Sequence, residues 1–279
     1  MNTTTISQNL PTVGEDYRYK RFTTRLLFRD LRFLGGAAKP GEPFPLFELI
    51  TTEGVRQVNS DLFGDKPVLF IFGSMTCPMT SSAAPSVQKL FDRFGDRVKF
   101  VMLYVREAHP GEIITQSESI DEKLQQAKAL KEFYGIDWLV AADNIDGDLH
   151  RALDPKPNSA FLMDSNGTIV FRSLWAADYA ALSQALDAVT AGRTPERNQS
   201  TAMIVPVTRA MGHVQAVMER GGPQAVRDLW RGGFPMAAAG RLATLFSPLT
   251  PDQRGIAAVL TLALGMLAAL SILGARVFA

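Results

Sequence analysis

From Ile256 to Ala275 the chain reads IAAVLTLALGMLAALSILGA, twenty residues without a charge. As a helix rising about 1.5 Å per residue, this stretch is roughly 30 Å long, the thickness of a bilayer's hydrocarbon core. A core helix of that length in a soluble domain usually keeps a polar face, so the segment reads as a membrane span. Thr250 and Pro251 supply an N-cap and a first-turn proline, and Arg254 and Arg276 bracket the apolar run. Because three residues follow Arg276, the expectation is a tail anchor over 251–277. The opening MNTTTISQNLPTV has neither the basic nor the apolar region of a cleavable signal. Arg241 and Arg254 on the long side, against Arg276 on the short side, favour a cytoplasmic folded domain, and a single cysteine fits a reducing compartment. Gly265 with Ala269, and Ser271 with Ala275, have small-residue spacings through which two anchors can pack as a homodimer.

Outside the span, the near-neutral net charge of +1 is a sum of unlike parts. Residues 1–39 carry a net +4, residues 40–192 a net −8, and residues 193–254 a net +4. A nucleic-acid binder carries its basic footprint on the folded domain, so this pattern argues against one, while the basic flanks suit an anionic membrane surface. One cysteine in 279 residues excludes a disulfide scaffold and a cysteine-ligated zinc module.

The chain divides into a basic N-terminal segment (1–39), a folded block (40–192), a linker (193–250) and the anchor. Residues 1–16 read as a polar tail. In YRYKRFTTRLLFRDLRFL the basic residues at 18, 21, 25, 29 and 32 alternate with apolar ones at helical spacing. Such a helix either lies on a membrane surface or packs on its own domain. Within the folded block, strand-like runs (46–50, 68–72, 98–105, 138–141, 160–163, 168–171) alternate with helix-like stretches (81–94, 120–134, 146–153, 179–190). This pattern predicts an α/β domain with a mixed, mostly parallel sheet, closed by a hairpin turning at Asn166-Gly167. Beyond Gly192, three short helical candidates broken by Gly221-Gly222-Pro223 and Gly232-Gly233 read as an Arg/Ala-rich helical linker.

The run PVLFIF leads into Gly73-Ser74-Met75-Thr76-Cys77-Pro78 and then a helix. Cys77 on a strand-to-helix turn faces backbone N–H groups and the positive end of a helix, which stabilise a thiolate. Its other reading is a small buried hydrophobe. Pro78 suits the first helical turn, and the hydroxyls of Ser74 and Thr76 are positioned to donate to the sulfur or its substrate. The run VKFVMLYV ends in Arg106-Glu107-Ala108-His109. A right-handed crossover brings parallel strand ends to one edge, so His109 and Arg106 can approach Cys77. There His109 would assist proton transfer, with Glu107 as its orienter. Pro157 precedes the strand AFLM, where a thioredoxin-like fold would set a cis-proline opposite the cysteine; its other reading is an ordinary turn proline. His150 and His213 have no partners at ligand spacing, and there is no P-loop, no GxGxxG and no metal-ligand cluster.

Phe72-Gly73-Ser74-Met75-Thr76-Cys77-Pro78, followed by Tyr104-Val105-Arg106-Glu107-Ala108-His109-Pro110, resembles the iodothyronine deiodinases. The motif of these thioredoxin-fold, membrane-anchored enzymes reads F-G-S-C-T-U-P, with U selenocysteine, and then E-E-A-H. The likeness extends over about 40–190, and the closing NSAFLMDSNGTIVFRSLW is also similar to thiol-disulfide oxidoreductases and peroxiredoxins. It implies that Cys77 stands for the selenocysteine, that Ser74 and Thr76 support it, and that His109 is the active-site histidine. Met75 stands where the family has a second cysteine. A further family histidine falls near Ser117, a glutamate at Asn158 and a substrate-binding arginine near Trp175.

These readings converge on a membrane-anchored, deiodinase-like thiol oxidoreductase. Cys77 would attack a small-molecule electrophile at halogen, peroxide oxygen or disulfide sulfur. With no bound cofactor and no resolving cysteine, it would be regenerated by an external thiol such as glutathione or a thioredoxin. The alternatives are a one-cysteine peroxidase and a thioredoxin-fold binding module at the membrane that performs no turnover.

Overall fold

A computed structural model describes residues 17–277, with side chains through Ser271. The polar tail 1–16 and the side chains of Ala275 and Arg276 therefore lie outside the described residues.

The sheet is built from β1 (Glu48–Thr51), β2 (Arg56–Val58), β3 (Val68–Gly73), β4 (Lys99–Tyr104), β5 (Leu139–Ala142), β6 (Ala160–Met163), β7 (Ile169–Ser173) and β8 (Gln199–Ser200), in the order β2-β1-β5-β4-β3-β6-β7-β8. Helices α1 (Thr24–Asp30), α2 (Asn59–Leu62), α3 (Pro78–Phe94), α4 (Ile120–Tyr134), α5 (Asp148–Leu153) and α6 (Tyr179–Thr190) surround it. The fold is the thioredoxin-like α/β arrangement predicted, with one correction to the sheet. Only β5-β4-β3 and the short β7-β8 pair run parallel; β1-β2, β1-β5, β3-β6 and β6-β7 are antiparallel. The three-residue β2 carries too little period-2 signal to read from sequence, and hairpins at both ends of the parallel centre tip the balance.

The strands bury both faces, and period-2 alternation divides them. Leu69 and Ile71 of β3 and Phe100 and Met102 of β4 join a core with Val87, Leu90 and Phe94 of α3 and Leu182 and Leu186 of α6. Val68, Phe70, Phe72, Val101 and Leu103 join the opposite core with Leu149 and Leu153 of α5 and Phe44 and Phe47. Parallel register, Val68 opposite Lys99 through Gly73 opposite Tyr104, brings β3 and β4 to their C-terminal ends together. The residues that follow each strand therefore share one edge.

Residues 193–250, expected to be a linker, cover that edge. They fold into α7 (Ile204–Gly221), α8 (Pro223–Gly232) and α9 (Phe234–Ala243), and run into α10 (Pro251–Val277). Among the buried residues of α7, Ala210, Met211, Val214, Val217 and Met218 have the spacing of one helical face. They share a cluster with Cys77, Met79, Ala108 and Trp175. Each of the larger ones gains about 1.5–3 kcal/mol on burial, before side-chain entropy is subtracted, and four on one face hold the helix down. The glycine pairs 221–222 and 232–233 are corners between packed helices, not signs of a flexible tether. The N-terminal segment also packs on its own domain: its helix is only α1, Phe22 and Leu26 are buried, and Arg21 forms a two-bond ion pair with Asp228 of α8 at 2.6 and 2.5 Å.

Within α10, Pro251–Ser271 is long and apolar enough to cross a membrane. Its first turns pack on α7 so closely that a Cβ at Gly212 would lie 1.7 Å from the Pro251 carbonyl oxygen, and one at Gly255 2.3 Å from that of Thr208. Residues 260–271 are exposed, and Gly265 meets nothing else in the chain.

Candidate active site

Cys77 is the N-cap residue of α3, with Pro78 opening the helix, and it is 1% exposed. The Thr80 hydroxyl and the backbone N–H groups of Met79 and Thr80 lie at the sulfur. Their dipoles favour a thiolate, as the sequence suggests, yet burial outweighs them and pushes the thiol up to about 11. In this closed arrangement the sulfur is protonated at neutral pH. The Thr80 oxygen accepts from the Ser74 N–H at 3.3 Å, which fixes the hydroxyl beside the sulfur. Thr80 is thus a site residue absent from the sequence-based set.

The expected hydroxyl donors do something else. Thr76 donates from its N–H and its hydroxyl to Glu107 Oε2, at 2.8 and 2.5 Å, and its Oγ accepts from the His109 N–H at 3.1 Å. Ser74 Oγ is buried and has no hydrogen-bond partner, while its carbonyl accepts from the Cys77 N–H at 3.4 Å. Glu107 does not orient the His109 ring as predicted. Its other oxygen accepts from the Tyr104 hydroxyl, and Gln116 holds its backbone through bonds of 3.0 and 2.7 Å. Burial raises the Glu107 carboxyl above its usual range. Glu107 therefore clamps the turn after β3 to the loop after β4, and it positions His109 only through Thr76 and the main chain.

His109 packs its ring on Phe22, with centroids 4.2 Å apart. Burial lowers it to about 3, so it is neutral, and its Nδ1 is buried without a hydrogen-bond partner. Arg106, expected near the sulfur, turns away: its guanidinium donates to Tyr19 Oη at 3.1 Å and to the Pro155 carbonyl at 2.9 Å. There it lies over the Tyr19 ring at 4.8 Å.

Cys77 and His109 line one cavity of about 60 Å³, whose wall also includes Pro78, Pro157 and Trp175. Pro157 is in place against the cysteine, but no cis peptide occurs among the described residues, so the cis expectation is corrected. Asn158 is one step behind the wall; its Nδ2 donates to the Phe72 carbonyl at 2.8 Å and its Oδ1 is buried without a hydrogen-bond partner. Near Trp175, where the family has an arginine, the indole donates to Met203 Sδ at 3.2 Å. Ser117 donates to Gln126 at 2.8 Å, in a separate polar groove of about 620 Å³ that does not reach the sulfur.

The cavity holds one more polar group, Asp30 at the end of α1. Arg29 lies 3.5 Å from its carboxylate, and burial raises its pKa. An acid in a basic N-terminal segment gives no sequence signal, since only tertiary packing brings it to Cys77. At about 60 Å³ the cavity is far below the roughly 300–1,000 Å³ of ligand pockets, so larger substrates require the helical cover to move.

Several comparisons bear on identity. Human thyroxine 5-deiodinase (Homo sapiens) is 26% identical over 106 residues, covering 34% of this chain and 35% of that protein. The Gallus gallus thyroxine 5-deiodinase is 27% identical over 121 residues, covering 39% of this chain and 46% of that protein. The chain thus spans less than half the length of these relatives. An uncharacterized conserved protein from Geobacillus kaustophilus superposes with a TM-score of 0.48 at 18% identity, covering 57% of this chain and 87% of that one. The thioredoxin domain of a thiol-disulfide oxidoreductase from Bacteroides vulgatus gives 0.42 at 18% identity, covering 53% and 97%. The family model for iodothyronine deiodinase matches residues 20–172, more than half the chain and all of the turn, loop and strands that surround Cys77 and His109, and so the chain belongs to the iodothyronine deiodinase family.

Proposed function

We propose that this protein is a membrane-anchored thiol oxidoreductase in which Cys77 is the nucleophile. The observation that carries this reading is the pairing, in one closed cavity, of a lone cysteine at a helix N-terminus and a neutral histidine whose Nδ1 has no hydrogen-bond partner among the described residues. Cys77 Sγ attacks the electrophilic atom of the substrate, at iodine, peroxide oxygen or disulfide sulfur; the new bond to sulfur forms as the substrate bond breaks. His109 is placed to relay the thiol's proton to the departing group. An external thiol, such as glutathione or a thioredoxin, displaces the transferred atom and forms a mixed disulfide. A second thiol equivalent releases Cys77 and leaves as the oxidised disulfide. The excess of arginine before α10 supports a cytoplasmic domain, and the open face of Gly265 leaves room for a second anchor to pack as a homodimer.

A one-cysteine peroxidase is the second reading, favoured by the cavity itself, since about 60 Å³ admits a peroxide without movement of the cover. The test uses the full chain in lipid, wild type and Cys77→Ser, with dithiothreitol. Iodide release from iodothyronines and iodophenols is measured beside peroxide consumption, with mass spectrometry for a sulfenic acid. Activity that survives in Cys77→Ser, or absence of both activities in the wild type, rejects the enzyme readings and leaves the non-catalytic binding module.

A further inference from the structure

Resting on that redox role for Cys77, we infer that the substrate is an apolar electrophile dissolved in the bilayer, admitted through a slot between α1 and the α7–α9 cover at the membrane surface. The cavity wall is the first reason. Besides Cys77 itself, its polar side chains are Asp30, His109 and the Trp175 indole, whose N–H is already spent on Met203. A charged or richly hydroxylated substrate would leave its own groups unpaired there, whereas an apolar body with one reactive atom would not. Met79, Met211 and Met236 line the remainder. Methionine is the side chain best able to rearrange around an entering apolar chain.

The mouth is the second reason. Of the wall residues, Leu27 and Leu31 of the α1 region, Val207 of α7 and Met236 of α9 are only half-buried, and they mark where the cavity meets the surface. Around them stand exposed apolar neighbours: Phe28, Ile204 (82% exposed), Val205 and Phe234. Trp230 lies against Phe234 with ring centroids 5.6 Å apart, and Arg32 and Arg231 are exposed beside this rim. Apolar residues with tryptophan and arginine at their edge are the composition of a surface seated at the headgroup level.

Helix direction places this rim at the bilayer. His213 meets Asp252 at 2.8 Å, and Gly255, one turn later on α10, packs on Thr208 and Arg209, one turn earlier on α7. The two helices are therefore antiparallel. Continuing along α10, Val259 still touches the cluster that contains Cys77, and from Leu260 onward the helix is exposed. The α7 N-terminus, with Ile204, Val205 and Val207, thus stands level with the point where the apolar helix leaves the domain. The substrate's route from hydrocarbon to sulfur crosses one layer of side chains.

Labelling tests the route directly, because Cys77 is the single cysteine. The full chain is reconstituted in phosphatidylcholine vesicles and treated with pyrenyl maleimide or with a disulfonated maleimide. The apolar reagent is expected to label Cys77 at least about tenfold faster after correction for intrinsic reactivity. The double change Ile204→Asp with Val205→Asp, at exposed positions, slows the apolar reagent about tenfold and leaves the charged one unchanged. Val207→Trp, which plugs the mouth, slows it as well. Equal rates for the two reagents, or indifference to the rim substitutions, overturn the inference.

Turnover reads the substrate class in the same samples, comparing linoleic acid hydroperoxide with hydrogen peroxide in dithiothreitol. With the lipid hydroperoxide, an S–O bond forms as O–O breaks, and the lipid alcohol leaves with the thiol's proton. Dithiothreitol then reduces the sulfenic acid, releasing water and its cyclic disulfide. The lipid hydroperoxide is expected to be the faster substrate, with the advantage lost in the rim variant. Absent turnover with the labelling pattern intact counts against the redox reading alone. A labelling pattern that does not discriminate overturns the route whatever the turnover.

Discussion

Two buried histidines, one lining the Cys77 cavity and one outside its wall, differ in one respect. His150 of α5 has both ring nitrogens bonded: Nε2 donates to the Lys156 carbonyl at 2.7 Å, a partner that can only accept, so Nδ1 must accept from the Tyr17 hydroxyl, at 2.8 Å. Its ring also meets Phe72 edge-on at 4.9 Å. His109 is also buried, yet among the described residues its Nδ1 has no hydrogen-bond partner, and its ring packs at a tilt on Phe22. Burial lowers the proton affinity of both. His150 cannot exchange a proton without breaking a hydrogen bond, whereas His109 keeps a nitrogen available inside the cavity of Cys77. An unmet polar group in a well-packed site marks chemistry better than burial or a shifted pKa does.

The largest effect expected from breaking this contrast is Cys77→Ser, which removes the proposed nucleophile and brings thiol-dependent turnover to background. His109→Gln should lower turnover by about 10²–10⁴-fold while changing unfolding free energy by only about 1 kcal/mol, the scale of the lost stacking. Parallel kinetics and urea titrations separate the two numbers. His150→Leu should show the reverse, losing about 3 kcal/mol of stability because Tyr17 and the Lys156 carbonyl are left unpaired, with turnover per folded molecule kept. If His150→Leu abolished turnover in folded protein, the contrast would be broken.

Smaller effects sharpen it. Thr80→Val removes the hydroxyl on the sulfur, so iodoacetamide alkylation at a fixed pH below 11 should slow by up to about tenfold, one pKa unit. The wild-type alkylation rate should itself rise toward a midpoint near 11, the value to which burial pushes Cys77. In acid the His109 contribution has a definite sign. His109 is held at about 3 against an ordinary 6.5, so between these values the unfolded chain binds the proton that the folded one refuses. Its contribution to stability is present above 6.5 and is lost as pH falls toward 3. His109→Gln should flatten that slope in part, with His150 supplying the remainder, as read by denaturant midpoints across the range.

How much of this was legible in the sequence depended on the range of the interaction. Strands β3 to β7 and helices α3 to α6 were readable because period-2 and period-3.6 hydrophobicity are local, and the start of α3 was announced by Pro78. The Cys77 turn and the His109 loop stood out because each follows a strong strand. The β6–β7 hairpin was readable from its Asn166-Gly167 turn, but the antiparallel majority of the sheet was not, since it also depends on the three-residue β2 and on how β1 and β6 pair with distant strands. Nor was the packing of α7–α9, because Gly221-Gly222 looks the same in a tether and at a corner between packed helices. Met211, Val214 and Met218 already traced the buried face, and weighing them above the glycines would have found it.

By itself, the sequence determined the elements, the family motif around Cys77 and an apolar segment long enough to cross a membrane, all consequences of residue chemistry at short range. The tertiary structure alone decided which hydroxyl meets the sulfur, that Glu107 clamps Thr76 rather than His109, and that Asp30 and Phe22 enter the site. It also decided that the helices before the anchor close over the cysteine. Those outcomes turn on burial and on competition for hydrogen-bond partners among residues up to about two hundred positions apart, as Arg21 and Asp228 are, and no local pattern encodes such a competition.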